Sequence, residues 1–167
     1  YNKTNGMKNQ QAVFISGIGT GIGKTLVAAV FTEALKADYW KPVQAGSLDN
    51  TDSHRIQNLI SNSQSKIHAE AYCLSQAMSP HAAAALDNIV IDQNNLFLPN
   101  TSNTLIIEGA GGLMVPLNED FLVIDLIKKL NAEVVLVSQN YLGSINHTLL
   151  SVEALKSRNI KMKGIVF

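Results

Sequence analysis

Short apolar runs alternate along this chain with stretches whose apolar residues return every three or four positions. "AVFIS" (12–16) is the first strand-sized run. After a glycine-rich turn, residues 25–37 place Leu26, Ala29, Val30 and Ala34 on one helical face, and this helix ends near Asp38. "YWKPV" (39–43) reads as a short second strand. Asp52 opens a further helix carrying Ile56, Leu59 and Ile60, with Ser61-Asn62-Ser63 as its stop. "TLIIEG" (104–109) is an unbroken buried strand with Glu108 at its carboxyl end, "EVVLVS" (133–138) repeats the form, and "GIVF" (164–167) is a last strand. Helical stretches at 121–130 and 144–158 lie between them. The alternation predicts an α/β fold of the P-loop NTPase-like kind: a mostly parallel sheet flanked by helices on both faces, with ligands gathering beyond the carboxyl ends of its strands.

The turn between the first strand and helix is "GIGTGIGKT", residues 17–25, in which five residues instead of the usual four separate Gly17 from Gly23-Lys24-Thr25. A glycine-rich turn there points several backbone N–H groups into one concavity at the positive end of a helix dipole, where a triphosphate fits. Lys24 would set a point charge against the terminal phosphates, and the Thr25 hydroxyl would join a magnesium shell. A merely flexible turn predicts neither Lys-Thr nor the flanking strand and helix. The extra residue marks an unusual branch of the phosphate-loop class.

Magnesium takes oxygen ligands and keeps several waters, so one hydroxyl and one or two carboxylates suffice. Asp52 and Glu108 are the candidates. Each has a plainer alternative: Asp52 as a helix cap, Glu108 held in a structural salt bridge. Lys41 is the sharper feature, a lysine at a strand end before a proline that hinders further backbone pairing. Most lysines are solvated surface groups, but a second cation opposite Lys24 suits chemistry in which negative charge grows on a phosphoryl group and its acceptor.

Composition narrows the class. At 167 residues and 18.1 kDa the chain fits one domain, and its 13 basic and 13 acidic residues cancel without like-charge runs, which argues against a DNA or RNA partner. The apolar stretches are strand-sized, far short of the roughly 20 residues that cross a bilayer, so no membrane partner is expected. Cys73, the single cysteine, can form no internal disulfide; it fits a reducing, cytoplasmic setting and reads as a packing residue. Residues 1–6, "YNKTNG", precede Met7 and have no signal-peptide pattern; they read as a leader outside a single domain spanning 7–167. The polar stretches at 61–66 and 92–103 are too short for domain linkers.

Six strings, "GIGTGIGKT", "KPVQAG", "TD" at 51–52, "SPHAAA" (79–84), "EGAGGLMVPL" (108–117) and "LGSINHTLL" (142–150), resemble dethiobiotin synthetases in order and approximate spacing, from Val13 to Phe167. The resemblance implies the penultimate step of biotin synthesis. In that family 7,8-diaminopelargonate and CO2 (or bicarbonate) give a carbamate, ATP phosphorylates it, and the second amine closes the ureido ring, releasing ADP and phosphate. It further implies that Thr20, Gly21, Ile22, Gly23, Lys24, Thr25 and Leu26 wrap the phosphates of ATP, that Thr25, Asp52 and Glu108 complete a Mg2+ site, and that Lys41 and Lys24 are the catalytic lysines. Gly109, Ala110 and Gly111 would lie along nucleotide and substrate, with Ala45 in the substrate region. The family is a homodimer in which the substrate reaches the other subunit. Gly143, Ser144, Ile145 and Asn146 would there open a helix whose free N–H groups hold the substrate, although an ordinary cap by Ser144 explains the stretch equally well.

His81 and His147 carry no base role in the family; Ser79-Pro80-His81 reads as pocket shape and a helix start, and His54 and His68 as surface or packing residues. Three departures stand out. Gly19 occupies a position where many members carry an acidic residue, and Ala45 one where relatives often have a serine or threonine near the substrate. The family continues past "GIVF" with an asparagine that reads adenine and a further segment over the nucleotide, so the chain is expected to lack that C-terminal segment. The alternatives are a ParA/MinD-like ATPase switch, whose signature lysine would stand at Gly19, and a nucleotide-binding module without catalysis. A relative of cobyrinic acid synthases would need a glutaminase domain that 167 residues cannot hold.

Overall fold

The computed structural model describes residues 11–167; the leader expected at 1–6 and the domain start expected at Met7 lie outside them. In chain order the elements are β1 (Ala12–Gly17), α1 (Lys24–Leu35), β2 (Asp38–Trp40), β3 (Val43–Ala45), α2 (Asp52–Leu59), β4 (Ile67–His68), β5 (Tyr72–Leu74), α3 (Pro80–Leu86), β6 (Leu105–Gly112), α4 (Val123–Lys129), β7 (Glu133–Val137), α5 (Ser144–Ser157) and β8 (Met162–Val166). Six strands form one parallel sheet in the order β4-β2-β6-β1-β7-β8, and β3 pairs with β5 in a separate two-stranded sheet.

Period-two alternation along the central strands sends side chains to two apolar layers. Val13 and Ile15 of β1 join Ile106, Val135 and Val137 beneath α1 and α2, through Ala28, Ala29 and Ile56. Phe14, with Leu105, Ile107, Val134 and Leu136, packs on the opposite face against Ala83 of α3, Ile124 and Ile127 of α4 and Leu155 of α5. Both faces are thus covered, which is why these strands read as continuous apolar runs. Each fully buried Ile or Leu stabilises this sandwich by about 1.5–3 kcal/mol. Among the described residues no helix is long and apolar enough to cross a membrane.

Several expectations from the sequence need correction. The buried stripe of α1 is Lys24, Ala28, Ala29 and Thr32, while Leu26 and Val30 are 60% and 58% exposed and Ala34 is exposed too. The helix is phased by its first residue: Lys24 turns inward at the loop, so positions four and eight residues later follow it and the larger side chains face out. "YWKPV" is not one strand. β2 stops at Trp40, the Pro42 carbonyl accepts from Ala71 and Tyr72 N–H, and the chain enters the second sheet at Val43. Within α2, Ile56 is buried, but Leu59 is 54% exposed. β6 runs on through the glycines to Gly112, so Glu108 lies inside the strand and not at its end. Cys73 is exposed, because on the one-sided β3–β5 ribbon its neighbours Tyr72 and Leu74 are the inward-facing residues. The two histidines, by contrast, are as expected: His68 is a packing residue, buried with Nε2 2.9 Å from Asp38 Oδ2, and His54 is at the surface, where it completes the capping box of α2.

Candidate functional site

Sheet register assembles the site. Trp40 pairs with Ile107, so the residues that follow, Lys41 and Glu108, stand side by side where β2 ends and β6 continues, while β1 delivers the glycine loop next to them. Gly21 and Gly23 have φ of 73° and 93°, a left-handed backbone that favours glycine, and no atom lies within 4 Å of where a Cβ would be at either. The loop therefore leaves an open concavity over the start of α1. Gly23 caps that helix without any side-chain hydrogen bond, so the first-turn N–H groups remain available to an anion.

Below the loop the charged groups interlock. Thr25 Oγ1 stands 2.8 Å from Glu108 Oε1, to which it donates, and 3.1 Å from Asp52 Oδ1. Lys41 Nζ donates to Asp52 Oδ2 and lies 3.3 Å from Glu108 Oε1. The Tyr39 hydroxyl donates to Glu108 Oε2 at 2.8 Å, and burial together with the Glu108 charge pushes that hydroxyl well above the usual tyrosine range. Lys41 is 5% and Glu108 1% exposed, so neither charge has water as an alternative partner. Burial alone would lower the Lys41 ammonium, but the Glu108 and Asp52 carboxylates outweigh it and hold it above the ordinary lysine range. Asp52 is drawn below the usual carboxylate range, since Lys41 and the Thr25 hydroxyl overcome the opposing effect of burial. Lys24 behaves differently: burial takes it down to about 8, with Glu108 and Asp52 opposing and Lys41 adding to the drop, and its Nζ donates to the Gly19 carbonyl at 2.7 Å.

A cavity of about 670 Å³ opens over these groups. Thr20, Gly21, Ile22, Gly23, Lys24 and Thr25 form its loop side, and Lys41, Asp52, Glu108, Ala110 and Gly111 its floor. Val43, Ala45, Ala77, Met78 and Pro80 add apolar surface to the lining, interleaved with the polar Gln44, Arg55 and Ser79. Of the residues expected from the sequence, Leu26 and Gly109 lie outside the lining. Leu26 points outward, and a Cβ on Gly109 would meet Phe14 Cε1 at 2.7 Å, on the core side of β6. Gly143, Ser144, Ile145 and Asn146 also lie elsewhere, at the start of α5, where Gly143, not Ser144, holds the cap position. His81 lines a different cavity, beside Leu117 and Phe121, and His147 bonds through Nδ1 to the Tyr141 hydroxyl at 2.7 Å. Thr51, not Asp52, caps α2, which frees the Asp52 carboxylate to face the cavity.

A family profile described as an AAA domain matches residues 11–167. An ATP-dependent dethiobiotin synthetase BioD from Christiangramia forsetii is 57% identical over 157 residues, covering 94% of this chain and 75% of the relative. The chain belongs to the dethiobiotin synthetase family. Another family member, from Cytophaga hutchinsonii, is 59% identical over 155 residues, 92% of this chain and 75% of that protein. Among solved structures a ParA family ATPase from Chlorobium tepidum TLS covers 94% of this chain and 72% of its own at 14% identity, with a TM-score of 0.49.

For a dethiobiotin synthetase-family site, the oxygens of Thr25, Asp52 and Glu108 are a hard donor set that fits Mg2+. Among the described residues no group of three or more His, Cys, Asp or Glu side chains could enclose a metal by itself. A magnesium ion in this family's site would thus share its shell with phosphate oxygens and water. Two further residues escaped the reading of the sequence. Tyr39 looks like an ordinary core aromatic, and Arg55 like an exposed helix residue, yet Arg55 lines the cavity with Nη1 3.6 Å from Asp52 Oδ1. The only signal for Arg55 is its spacing, one turn beyond Asp52 on the same helix face.

Proposed function

We propose that the protein carries out the synthetase reaction in biotin synthesis through a carbamate: one amine of 7,8-diaminopelargonate adds CO2 and loses a proton, a carbamate oxygen attacks the γ-phosphorus of ATP as ADP leaves, and the second amine then attacks the activated carbon and expels phosphate to close the ring. The observation that carries this reading is Lys41 Nζ held between Asp52 and Glu108 in the cavity that the glycine loop also lines, a cavity whose apolar Val43, Ala45, Met78 and Pro80 suit an aliphatic diamine.

The open N–H groups of the loop and the Lys24 ammonium bind the phosphates. Lys41 neutralises charge that builds on the transferring phosphoryl group and its carbamate acceptor, in a site where burial strengthens such interactions. Mg2+, held by Thr25, Asp52 and Glu108, supplies charge neutralisation on the phosphate oxygens. Val43, Ala45, Met78 and Pro80 exclude water from the carbon chain of the diamine. The reaction is expected in the cytoplasm.

The homodimer belongs to the same proposal. Leu142, Ile145 and Leu149 are 103%, 78% and 59% exposed around the start of α5, an apolar stripe that a second copy would cover, bringing Gly143–Asn146 toward the substrate of that copy. Incubation with ATP, Mg2+, bicarbonate and diaminopelargonate tests the reaction: ADP release that requires the diamine, with a product of dethiobiotin mass, is the expected result. Turnover indifferent to the diamine overturns it.

A further inference from the structure

Asp52 is held in two different ways. Its carboxylate meets Thr25 Oγ1 at 3.1 Å, Lys41 Nζ, and Arg55 Nη1 at 3.6 Å, whereas its backbone N–H donates to a side chain, Gln44 Oε1, at 3.3 Å. As the first residue of α2, Asp52 has an N–H with no partner inside the helix, and the cap residue Thr51 gives its hydroxyl oxygen to His54 N–H instead. Gln44 supplies the acceptor from another element, the middle of β3.

Gln44 is itself anchored. It is 4% exposed, and its Nε2 donates to the Gly46 carbonyl at 2.8 Å. Gly46 N–H donates in turn to the Leu74 carbonyl at 2.8 Å, and a Cβ on Gly46, whose φ is 71°, would come within 2.6 Å of Ala77. The amide thus has one end on a turn packed against Ala77 and the other on Asp52. The contacts to Asp52 differ in what a cation would do to them. Those from Thr25, Lys41 and Arg55 end on the carboxylate oxygens, the atoms that Mg2+ would take. The Gln44 contact ends on the backbone, so it does not compete for those oxygens.

We infer that Gln44 is a positioning residue: its side-chain carbonyl fixes the start of α2 so that the Asp52 carboxylate is presented to Mg2+. The inference rests on the magnesium site of the synthetase reading, with Asp52 as one of its ligands. Gln44 also lines the cavity, where direct contact with the diamine is the rival role.

Titration calorimetry of the whole protein with ADP at graded Mg2+ tests it. Gln44→Met removes both bonds at nearly constant length, and Gln44→Glu keeps an acceptor for Asp52 while losing the donor to Gly46. In Gln44→Met the Mg2+ concentration that gives half-maximal ADP affinity is expected to rise about three- to tenfold, as for loss of one hydrogen bond between neutral groups. The Asp52 amide of the metal-free variant should also exchange faster with deuterium. Gln44→Glu is expected to preserve slow exchange at Asp52 and not to raise the Mg2+ requirement. In turnover, the Gln44→Met defect should shrink as Mg2+ is raised. Gln44→Asn, one methylene shorter, replaces Gln44→Met if that variant melts below the assay temperature, with the same shift expected. An unshifted Mg2+ requirement in the folded variant overturns the inference alone. Equal upward shifts in Gln44→Met and Gln44→Glu overturn it too, because the bond that both variants lose is the one to Gly46. So does a raised KM for the diamine that Mg2+ does not relieve, which would make Gln44 a substrate contact. Wild-type ADP binding indifferent to Mg2+ overturns the metal site and this inference with it. Absence of diamine-dependent turnover in the wild-type protein, with the Mg2+ shift intact, overturns the synthetase reading and leaves Gln44 as support for a Mg2+–nucleotide site.

Discussion

Lys41 Nζ lies 3.3 Å from Glu108 Oε1 because the residues before them, Trp40 and Ile107, are register partners on neighbouring strands. Removing one member of so buried a pair leaves the other charge uncompensated, a loss of about 3–5 kcal/mol. Lys41→Ala is therefore expected to lower the melting temperature and to cut diamine-dependent turnover by about a hundredfold or more. Nucleotide should still bind, since Lys24 and the loop are untouched. Adding Glu108→Gln removes the stranded charge and should restore stability but not turnover. Thermal melts, nucleotide titration and product formation check the three parts; near-normal turnover in Lys41→Ala would exclude Lys41 from the mechanism.

Tyr39 bears on the other oxygen of the same carboxylate. Its hydroxyl is the donor to Glu108 Oε2, and Tyr39→Phe leaves that buried oxygen without it. A stability loss of about 1.5–3 kcal/mol is expected, together with a changed Mg2+ requirement, because the orientation of a proposed metal ligand is relaxed. Denaturant unfolding and Mg2+ titration of turnover measure the two effects. Unaltered values in both would show that the hydroxyl neither supports nor orients Glu108.

Protons should follow the nucleotide. Buried Lys24 loses its proton near pH 8 in the free protein, and bound phosphate favours the ammonium form. Affinity for ATP is then full below about pH 8 and falls above it by at most about tenfold per pH unit, with proton uptake on binding. Titration calorimetry at pH 8.5 in buffers of different ionisation enthalpy reads that uptake. For folding the sign is reversed: between about 8 and the ordinary value of 10.5 the unfolded chain holds this proton more tightly, so stability rises with pH across that window.

Glu33 ties α1 to the segment after α2. Its carboxylate accepts from the Asn62 side chain at 2.8 Å, from Ser61 N–H at 2.9 Å and Oγ at 2.8 Å, and from Asn62 N–H at 3.2 Å, which hold it at about 2. A depressed carboxylate stabilises the fold above its unfolded value, about 4.5, and that contribution fades as pH falls toward 2. Glu33→Gln should lower the melting temperature at pH 7, with the gap to wild type narrowing between pH 4.5 and 2. A gap independent of pH would mean that the carboxylate charge is irrelevant to the clamp.

How much of this was legible in the sequence depended on the length and coverage of each element. β1, β6 and β7 are buried on both faces and so stand out as unbroken apolar runs, and the loop between β1 and α1 is readable from residue types alone. β4 and β5, of two and three residues, are too short for any periodicity to show. The phase of α1 was misread because the apolar moment points to Leu26 and Val30, whereas the inward turn of Lys24 decides which face meets the sheet. Glu108 and Lys41 could be singled out separately; their contact depends on strand order β2-β6, which no local pattern encodes. Tyr39 and Arg55 went unnoticed since their roles arise from neighbours brought in by that order and by the cap at Thr51.

The departure of the chain from the main sheet at Pro42 splits the cavity into two inheritances. The loop proposed to hold phosphate hangs from the six-stranded scaffold, while Val43 and Ala45, which line the same cavity, belong to a separate ribbon. In the proposed reaction, changes at Val43 or Ala45 would alter which organic molecule is admitted, whereas Gln44 between them accepts from Asp52 N–H at 3.3 Å and ties the same ribbon to the metal side, so selectivity can drift at two of its three positions only.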